Sequence, residues 1–528
     1  MPSSCGEDVC AKRRSRCMSL RMTFLSMKPL LQEREMKERH LRARPSVWRA
    51  GKRLTLRNCL VLLVTVFLML PISIRSSPAN VVVRLGDNIQ ALVESHPPGT
   101  NFDITPGIYR LQSIRPKDGD TFSGEPGADL TGAQVLNGFT QQGRYWVANV
   151  SVSAQASYRG VCDQEHPACM FPEDIFVDDA PLQRVARLSD VTTGKWYLDY
   201  NAGEAYLGSN PAGHKVEISL VPYAFHGSAK NVTIENLTIE KYANVAGDGA
   251  VEGKSEGNAM SDGWVVRNNV IKLNHGMGIR LGNQMQVLNN KVMNNGQMGL
   301  GGSGANILVA GNEIAYNNYA GYKYGWEAGG TKFTFTRGLV VRDNFVHDNN
   351  GPGLWTDIEN HDTLYEHNRT TANKEAGILH EISYHAIIRD NTIENDGYTA
   401  PGQTSPWFGG GIVITASQDV EVYGNTVTDC MNGIIGLQPY RKRQAGGGYF
   451  LRNLYVHNNI VTQKAGIAAG ILKSSPLDDS VFTSWNNRFI DNTFHLGSQN
   501  GKYFEWMDAA QTLNAWLGLS GRGPASSN

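Results

Sequence analysis

VVRNNVIKLNHGMGIRL (265–281), VLNNKVMNNGQMGLGG (287–302) and LVAGNEIAYNNYAGYKY (308–324) repeat one phrase. Each reads apolar-x-apolar-x-x-Asn-x-apolar, then a polar gap containing Asn, then Gly and an apolar residue. The phrase continues through VVRDNFVHDNNGPGLWTDI (340–358) and LYEHNRTTANKEAGILHEI (364–382) to RFIDNTF (488–494). Its marker residues are Asn269, Asn290, Asn312, Asn344, Asn368, Asn391, Asn425, Asn459 and Asn492, spaced by 21, 22, 32, 24, 23, 34, 34 and 33.

A base period of 21–24 with insertions of about ten residues fits one coil of three short strands and three turns. Each strand alternates inward apolar with outward polar residues. Asn or Gly, which accept left-handed backbone, bend the chain between strands. Stacked Asn side chains can hydrogen-bond along the coil axis. No single coil buries its apolar face, so neighbours must stack, and extra residues emerge as loops on one side. A leucine-rich repeat or other solenoid of similar period is the alternative, but leucine-rich repeats want Leu at fixed offsets and a helical segment, whereas these positions are Val and Ile with little helical pattern.

The phrase resembles the right-handed parallel β-helix repeat family, the pectate-lyase-like superfold, over roughly 231–500 and also 80–140. The resemblance implies an all-β solenoid and, more weakly, action on a polysaccharide, because one fold hosts many activities. Residues 145–222, with GKWYLDYNAGEAYLGSNPAGHKVEISL, break the repeat and suggest a small antiparallel β-module. They resemble the module inserted before the main coils of several β-helix carbohydrate-active enzymes.

The expected organisation is an N-terminal extension (1–79), a cap and first coils (80–144), an inserted module (145–230), the main β-helix (231–500) and a C-terminal cap and tail (501–528). Asp87 is expected to cap a short helix, NIQALVESH, over the first coil, and 503–519 to plug the last. The 49 basic and 49 acidic residues are unevenly spread. Residues 1–79 carry 16 against 5, and 80–528 carry 33 against 44. The acidic body disfavours a nucleic-acid partner. CLVLLVTVFLMLPISI (59–74), flanked by Lys52, Arg53 and Arg57 and followed by Ser77-Pro78-Ala79, has the order of a secretory signal. It implies a secreted or periplasmic body, with 59–74 as the alternative membrane anchor. Cys162 and Cys169 bracket a short loop and could pair in an exported protein. Cys430 reads as a small buried residue.

Aligning coils on Gly278, Gly299, Gly321, Gly353, Gly377, Gly411 and Gly433 turns the next residue inward and positions +2 and +4 outward. Asp357 and Glu381 then share one outward register on consecutive coils. Strands lie about 4.8 Å apart, so such a pair repels and one carboxyl is held protonated. That suits the general acid with a nucleophile or base of a glycoside hydrolase, the first reading, with Asp357 and Glu381 as the pair and their roles unassigned. Trp355, Trp326 and Trp407 are expected as sugar platforms, and Glu327, Lys332 and His380 as orienting groups. Lys323, Lys332, Arg280 and His380 are the groups available to a uronate lyase or C5-epimerase, the alternative reading. A non-catalytic glycan-binding protein is the third. HEISYH (380–385) has the wrong spacing for zinc. No metal ligand set and no required cofactor are expected, although paired carboxylates leave Ca²⁺ possible. The expected partner is a polysaccharide or oligosaccharide.

Overall fold

The computed structural model describes residues 80–152, 158–254, 259–398, 409–443, 447–474 and 477–519. The leader and Trp407 lie outside these residues. Parallel strands stack in three columns, giving a right-handed parallel β-helix. The first face runs from Asn80–Val83 through Val265–Arg267 to Arg488–Ile490. The second runs from Gly107–Arg110 through Val270–Lys272 to Thr493–Leu496. The third runs from Phe225–His226 through Met277–Leu281 to Lys502–Trp506. Inward Val266, Ile271 and Ile279 of one coil join Val287, Val292 and Leu300 of the next in a single buried core.

The marker asparagines form one ladder at the corner between the first and second faces. Asn269 Nδ2 donates to Asn290 Oδ1, Asn290 to Asn312, Asn312 to Asn344, and so on to Asn492, each near 3.0 Å. The left-handed backbone falls on the preceding residue: Asn268, Asn289, Gly311, Asp343, His367, Asp390, Gly424, Asn458 and Asp491. Gly, Asn and Asp prevail there because they tolerate that conformation. The marker Asn itself is spent on buried hydrogen bonds, which no apolar residue could supply. A second ladder, Asn274–Asn295–Asn317–Asn349–Asn373, lies at the next corner and ends on Asp396.

Two small sheets, antiparallel apart from the Gln183–Arg184 and Lys195–Asp199 pair, run between Ala133–Val135 and Val216–Ser219. They share a core containing Trp196, Leu198 and Ile218. Cys162 and Cys169 are joined as a disulfide, and Cys430 is buried and free. The first coil carries the helix Ile89–Ser95, but Asn88 caps it, accepting from Ala91 N, while Asp87 bonds Arg84 N. The C-terminal segment is a hairpin of Lys502–Trp506 and Ala509–Thr512 followed by the short helix Leu513–Leu517. Trp516 stacks on Phe504 and is buried in the main core.

One register expectation fails. The coil aligned on Gly321 makes an excursion at 318–328, and its third-face strand starts at Gly329. Leu300 pairs with Thr331 and Gly301 with Lys332, so Lys332 takes the outward position assigned to Lys323. Lys323 is exposed on the excursion, its N–H donating to Val161 O. Tyr322 packs against the disulfide loop and hydrogen-bonds His275. The inserted segments leave from both edges of the third face: the excursion before it, and the hairpin around 439–449 and the helix Ser480–Thr483 after it.

Candidate functional site

The third face carries one outward row. His226 pairs with Glu252, Glu252 with Arg280, Arg280 with Gly301 and Gly301 with Lys332. Phe333 pairs with Thr356, which sets Lys332 beside Trp355. Gly301 is fixed by close packing: a Cβ there would lie 2.4 Å from Lys332 O. At one end of the row is a cleft of about 740 Å³ lined by Tyr223, His226, Glu252, Lys254, Arg115 and Lys117. Arg280 bonds Asp248 at 2.7 Å and lies 3.6 Å from Glu252. Arg280, Lys332, Glu327 and Arg159 line a smaller cavity of about 80 Å³ further along.

Beyond Lys332 the row continues through Trp355 and Leu379, and two residues further along those strands, in the next outward row, stand Asp357 and Glu381. Thr356 pairs with His380, so the two residues that follow occupy the same register on adjacent rungs, whose backbones are about 4.8 Å apart. They are 5% and 4% exposed. Lys332 Nζ is 2.9 Å from Asp357 Oδ2, 3.9 Å from Glu327 Oε1 and 4.0 Å from the Trp355 ring centroid, and it donates to Trp326 O. Asp357 Oδ1 has no hydrogen-bond partner among the described residues. Glu381 Oε1 accepts from Arg441 Nη1 at 2.7 Å. Burial first, and Asp357 second, push the Glu381 carboxyl up to about 7 against the opposing pull of Arg441 and Lys332. Glu375 is pushed to about 7 by burial and by Glu381.

Several expected binding residues occupy other places. His380 is wholly buried in the solenoid, with Nδ1 bonded to Thr356 Oγ1, and burial lowers its imidazole to about 3. The same alternation that turns Glu381 out turns His380 in, so it cannot orient a substrate. Trp355 is 3% exposed and packs with Leu379 and Val413 beneath Lys332, so it supports the site rather than offering a platform. Trp326 is half-buried at the rim, stacked on Tyr322, with the Arg159 guanidinium 5.5 Å from its ring. Glu327 pairs with Arg159 at 2.9 Å. Lys323 is off the row. Among the described residues no three or more His, Cys, Asp or Glu side chains are grouped as a metal-ligand set.

Glu252 and Glu375 were not expected at the site, and Arg441 was expected only within the insertion Tyr440–Arg443, as part of a groove lining rather than as a partner of Glu381. Arg441 reaches Glu381 from sixty residues away, and its only sequence signal is the basic run YRKR (440–443). Glu252 follows GAV in GAVEG (249–253), an earlier and shorter form of the repeat that shares the register of Arg280. Burial raises Glu252 to about 8. Glu375 lies in the turn before the Glu381 strand and carries no motif.

A family model described as a right-handed β-helix region matches residues 250–427. No curated protein sequence matches the chain. Among solved structures, "The complex structure of XylC with xylose" is 13% identical with a TM-score of 0.60, covering 83% of this chain and 85% of that one. The Azotobacter vinelandii mannuronan C-5 epimerase AlgE6 A-module is 13% identical with a TM-score of 0.42, covering 83% and 94%. The Yersinia enterocolitica family 28 exopolygalacturonase is 10% identical with a TM-score of 0.35, covering 85% and 78%. At these identities the likeness is one of fold.

Proposed function

From a right-handed β-helix bearing two buried carboxyls on adjacent rungs, we propose that this protein is a retaining glycoside hydrolase acting on an oligosaccharide or polysaccharide. The observation that carries the reading is the Asp357–Glu381 pair itself. Adjacent rungs, about 4.8 Å apart at the backbone, allow the two carboxyls the roughly 5–5.5 Å of retaining enzymes, whereas an inverting water needs about 6.5–9.5 Å.

The two environments divide the roles. Asp357 Oδ2 is neutralised by Lys332 while Oδ1 is unengaged, which suits a nucleophile attacking the anomeric carbon. Glu381, held up to about 7 by burial and by Asp357, keeps its proton for the leaving oxygen. It takes a proton from water in the second step. Arg441 occupies Oε1, so the transferable proton sits on Oε2. The TM-score of 0.60 to a structure solved with xylose is compatible with a sugar ligand. The lyase reading is weaker here, because Lys332 is engaged by Asp357 and Trp326 and Lys323 stands apart from the row.

Asp357→Asn and Glu381→Gln are each expected to lower kcat by about 10³-fold or more, the size of losing a nucleophile or an acid. Proton NMR of the first-formed product should show the substrate's anomeric configuration retained. A 2-deoxy-2-fluoro glycoside should label the peptide containing Asp357. Inverted product, or full activity in either variant, sinks the assignment. Products absorbing in the ultraviolet would point to elimination instead.

A further inference from the structure

The turns that follow both carboxylates are strained. Ile358, directly after Asp357, has φ +62°, and Glu359 has φ +56°. Ile382, directly after Glu381, has φ +38°, and Ala416 on the next rung has φ +45°. A β-branched residue in this region is a backbone outlier that persists only where surrounding contacts over-determine it. Those contacts converge here. Ile358, Ile382 and Ala416 share one small apolar cluster with Tyr384 and Tyr449.

Tyr449 belongs to a hairpin that leaves the third face two rungs beyond Glu381. Lys442 bridges Gly448, Tyr449 N donates to Arg441 O, and Gln438 closes the neck through Tyr449 O and Leu451 N. The hairpin is tied to Glu359. Arg443 Nε and Nη2 bond its two carboxylate oxygens at 3.0 Å each, and Tyr449 OH bonds Oε1 at 2.7 Å. Two residues along from that anchor, Arg441 reaches Glu381. Glu359 N donates to Ile382 O, which joins the two strained turns directly.

We propose that this hairpin is a clamp on the carboxylate pair, with Glu359 as its anchor and Arg441 as the positioning residue that acts on Glu381. The turn after Asp357 supplies the anchor, and the hairpin returns a cation to Glu381, so one docking event fixes the geometry and charge of both. None of Glu359, Arg443 or Tyr449 is placed against the reacting atoms. The inference rests on the reading of Glu381 as the group that transfers a proton. The groups facing Glu381 are Asp357 and Lys332 from the preceding rungs, Arg441 from the hairpin and Glu375 from the turn before its own strand.

The test compares Arg441→Ala, Glu359→Ala and Tyr449→Phe with the wild-type chain. The first readout is the carboxyl titration of Glu381 in pH-difference infrared spectra, assigned by subtracting Glu381→Gln, which needs no activity. The second is the alkaline limb of kcat/KM. Arg441→Ala is expected to move both upward by about one pH unit, because a neighbouring opposite charge lowers a carboxyl by that order. Glu359→Ala should reproduce the shift although its own carboxylate is removed elsewhere, and Arg441→Lys should partly restore it. If Glu359→Ala does not fold, Tyr449→Phe still releases one tie and should give a smaller shift in the same direction. A Glu381 titration unmoved in Arg441→Ala, or moved there but not in Glu359→Ala or Tyr449→Phe, overturns the clamp. Should the infrared shift appear in a protein that cleaves no glycoside, the clamp stands and the hydrolase reading falls.

Discussion

Asp396 stands where the second ladder would call for another asparagine. Each Asn amide within a ladder donates to the oxygen of the next rung, and the last rung of the first ladder, Asn492, turns its amide to Val456 O and Ile490 O instead. On the coil after Asp396 the turn carries Cys430, which is buried beside Asp396, and an amide at 396 would lose its next-rung target. Asp396 instead accepts at both oxygens, from Asn373 N and Nδ2 at Oδ1 and from Thr370 Oγ1 at Oδ2. Asp396→Asn replaces the oxygen that accepts from Thr370 Oγ1 with an amide nitrogen, or gives up the Asn373 contacts if it flips, and should cost about 1–2 kcal/mol at pH 5. Burial raises Asp396 to about 7, so its wild-type contribution is complete below the unfolded value near 4 and is lost as pH rises through 7. The deficit of the variant should therefore narrow at pH 8. Denaturant titrations at the two pH values check both parts, and a deficit that widens with pH would refute the account.

The coil is the element on which most of the architecture could be read. The nine marker asparagines, chosen only by spacing, prove to be nine consecutive rungs of one ladder. Buried amides admit no substitute there, so the chemistry leaves a periodic trace. Asn344 shows the demand: its oxygen accepts from Asn312 N and Nδ2, and its amide donates to Val309 O and Asn368. Asn344→Ala should cost about 3 kcal/mol or more, with several buried groups left unpaired. An unchanged unfolding midpoint would contradict that. Register within a coil was legible wherever Gly, apolar residue and outward residue came in the regular order, which is how Asp357 and Glu381 were found together. It failed at Gly321 because the excursion carries a second Gly-rich opening, Gly329-Gly330, and local pattern cannot say which one starts the strand. Arg441, Arg443 and Tyr449 were not legible as partners of Glu381 and Glu359. Their contacts span sixty to ninety residues, a distance at which no periodicity constrains the pairing.

Among the described residues seven carboxyls are held above their ordinary range, chiefly by burial, and five of them far above it: Asp129, Glu375, Glu381 and Asp396 at about 7 and Glu252 at about 8. For each, the folded state binds its proton more tightly than the unfolded chain. Buried His380, lowered to about 3, acts in the opposite sense below pH 6.5, but it is outnumbered by these carboxyls, so between pH 4 and 8 stability should fall as pH rises. The melting midpoint should be higher at pH 5.5 than at pH 8.5. Three of the five, Glu252, Glu375 and Glu381, lie on or beside the third face, so part of this cost is located at the face proposed to do chemistry. Glu381→Gln should flatten the pH dependence of the midpoint, which distinguishes a site effect from a general loss of acid stability.

The asparagine ladder also bears on how such a molecule changes over generations. Every rung offers its neighbour the same amide in the same orientation, so a coil copied or deleted whole leaves both flanking rungs with a correct partner. Length can drift in units of one turn without a buried group losing its match, whereas a partial coil would break the chain of amides. The carboxylate pair needs only two of those rungs, held by one hairpin. Length along the third face can therefore be inherited separately from the proposed chemistry: duplication would lengthen the tape and leave the carboxylate pair where it was.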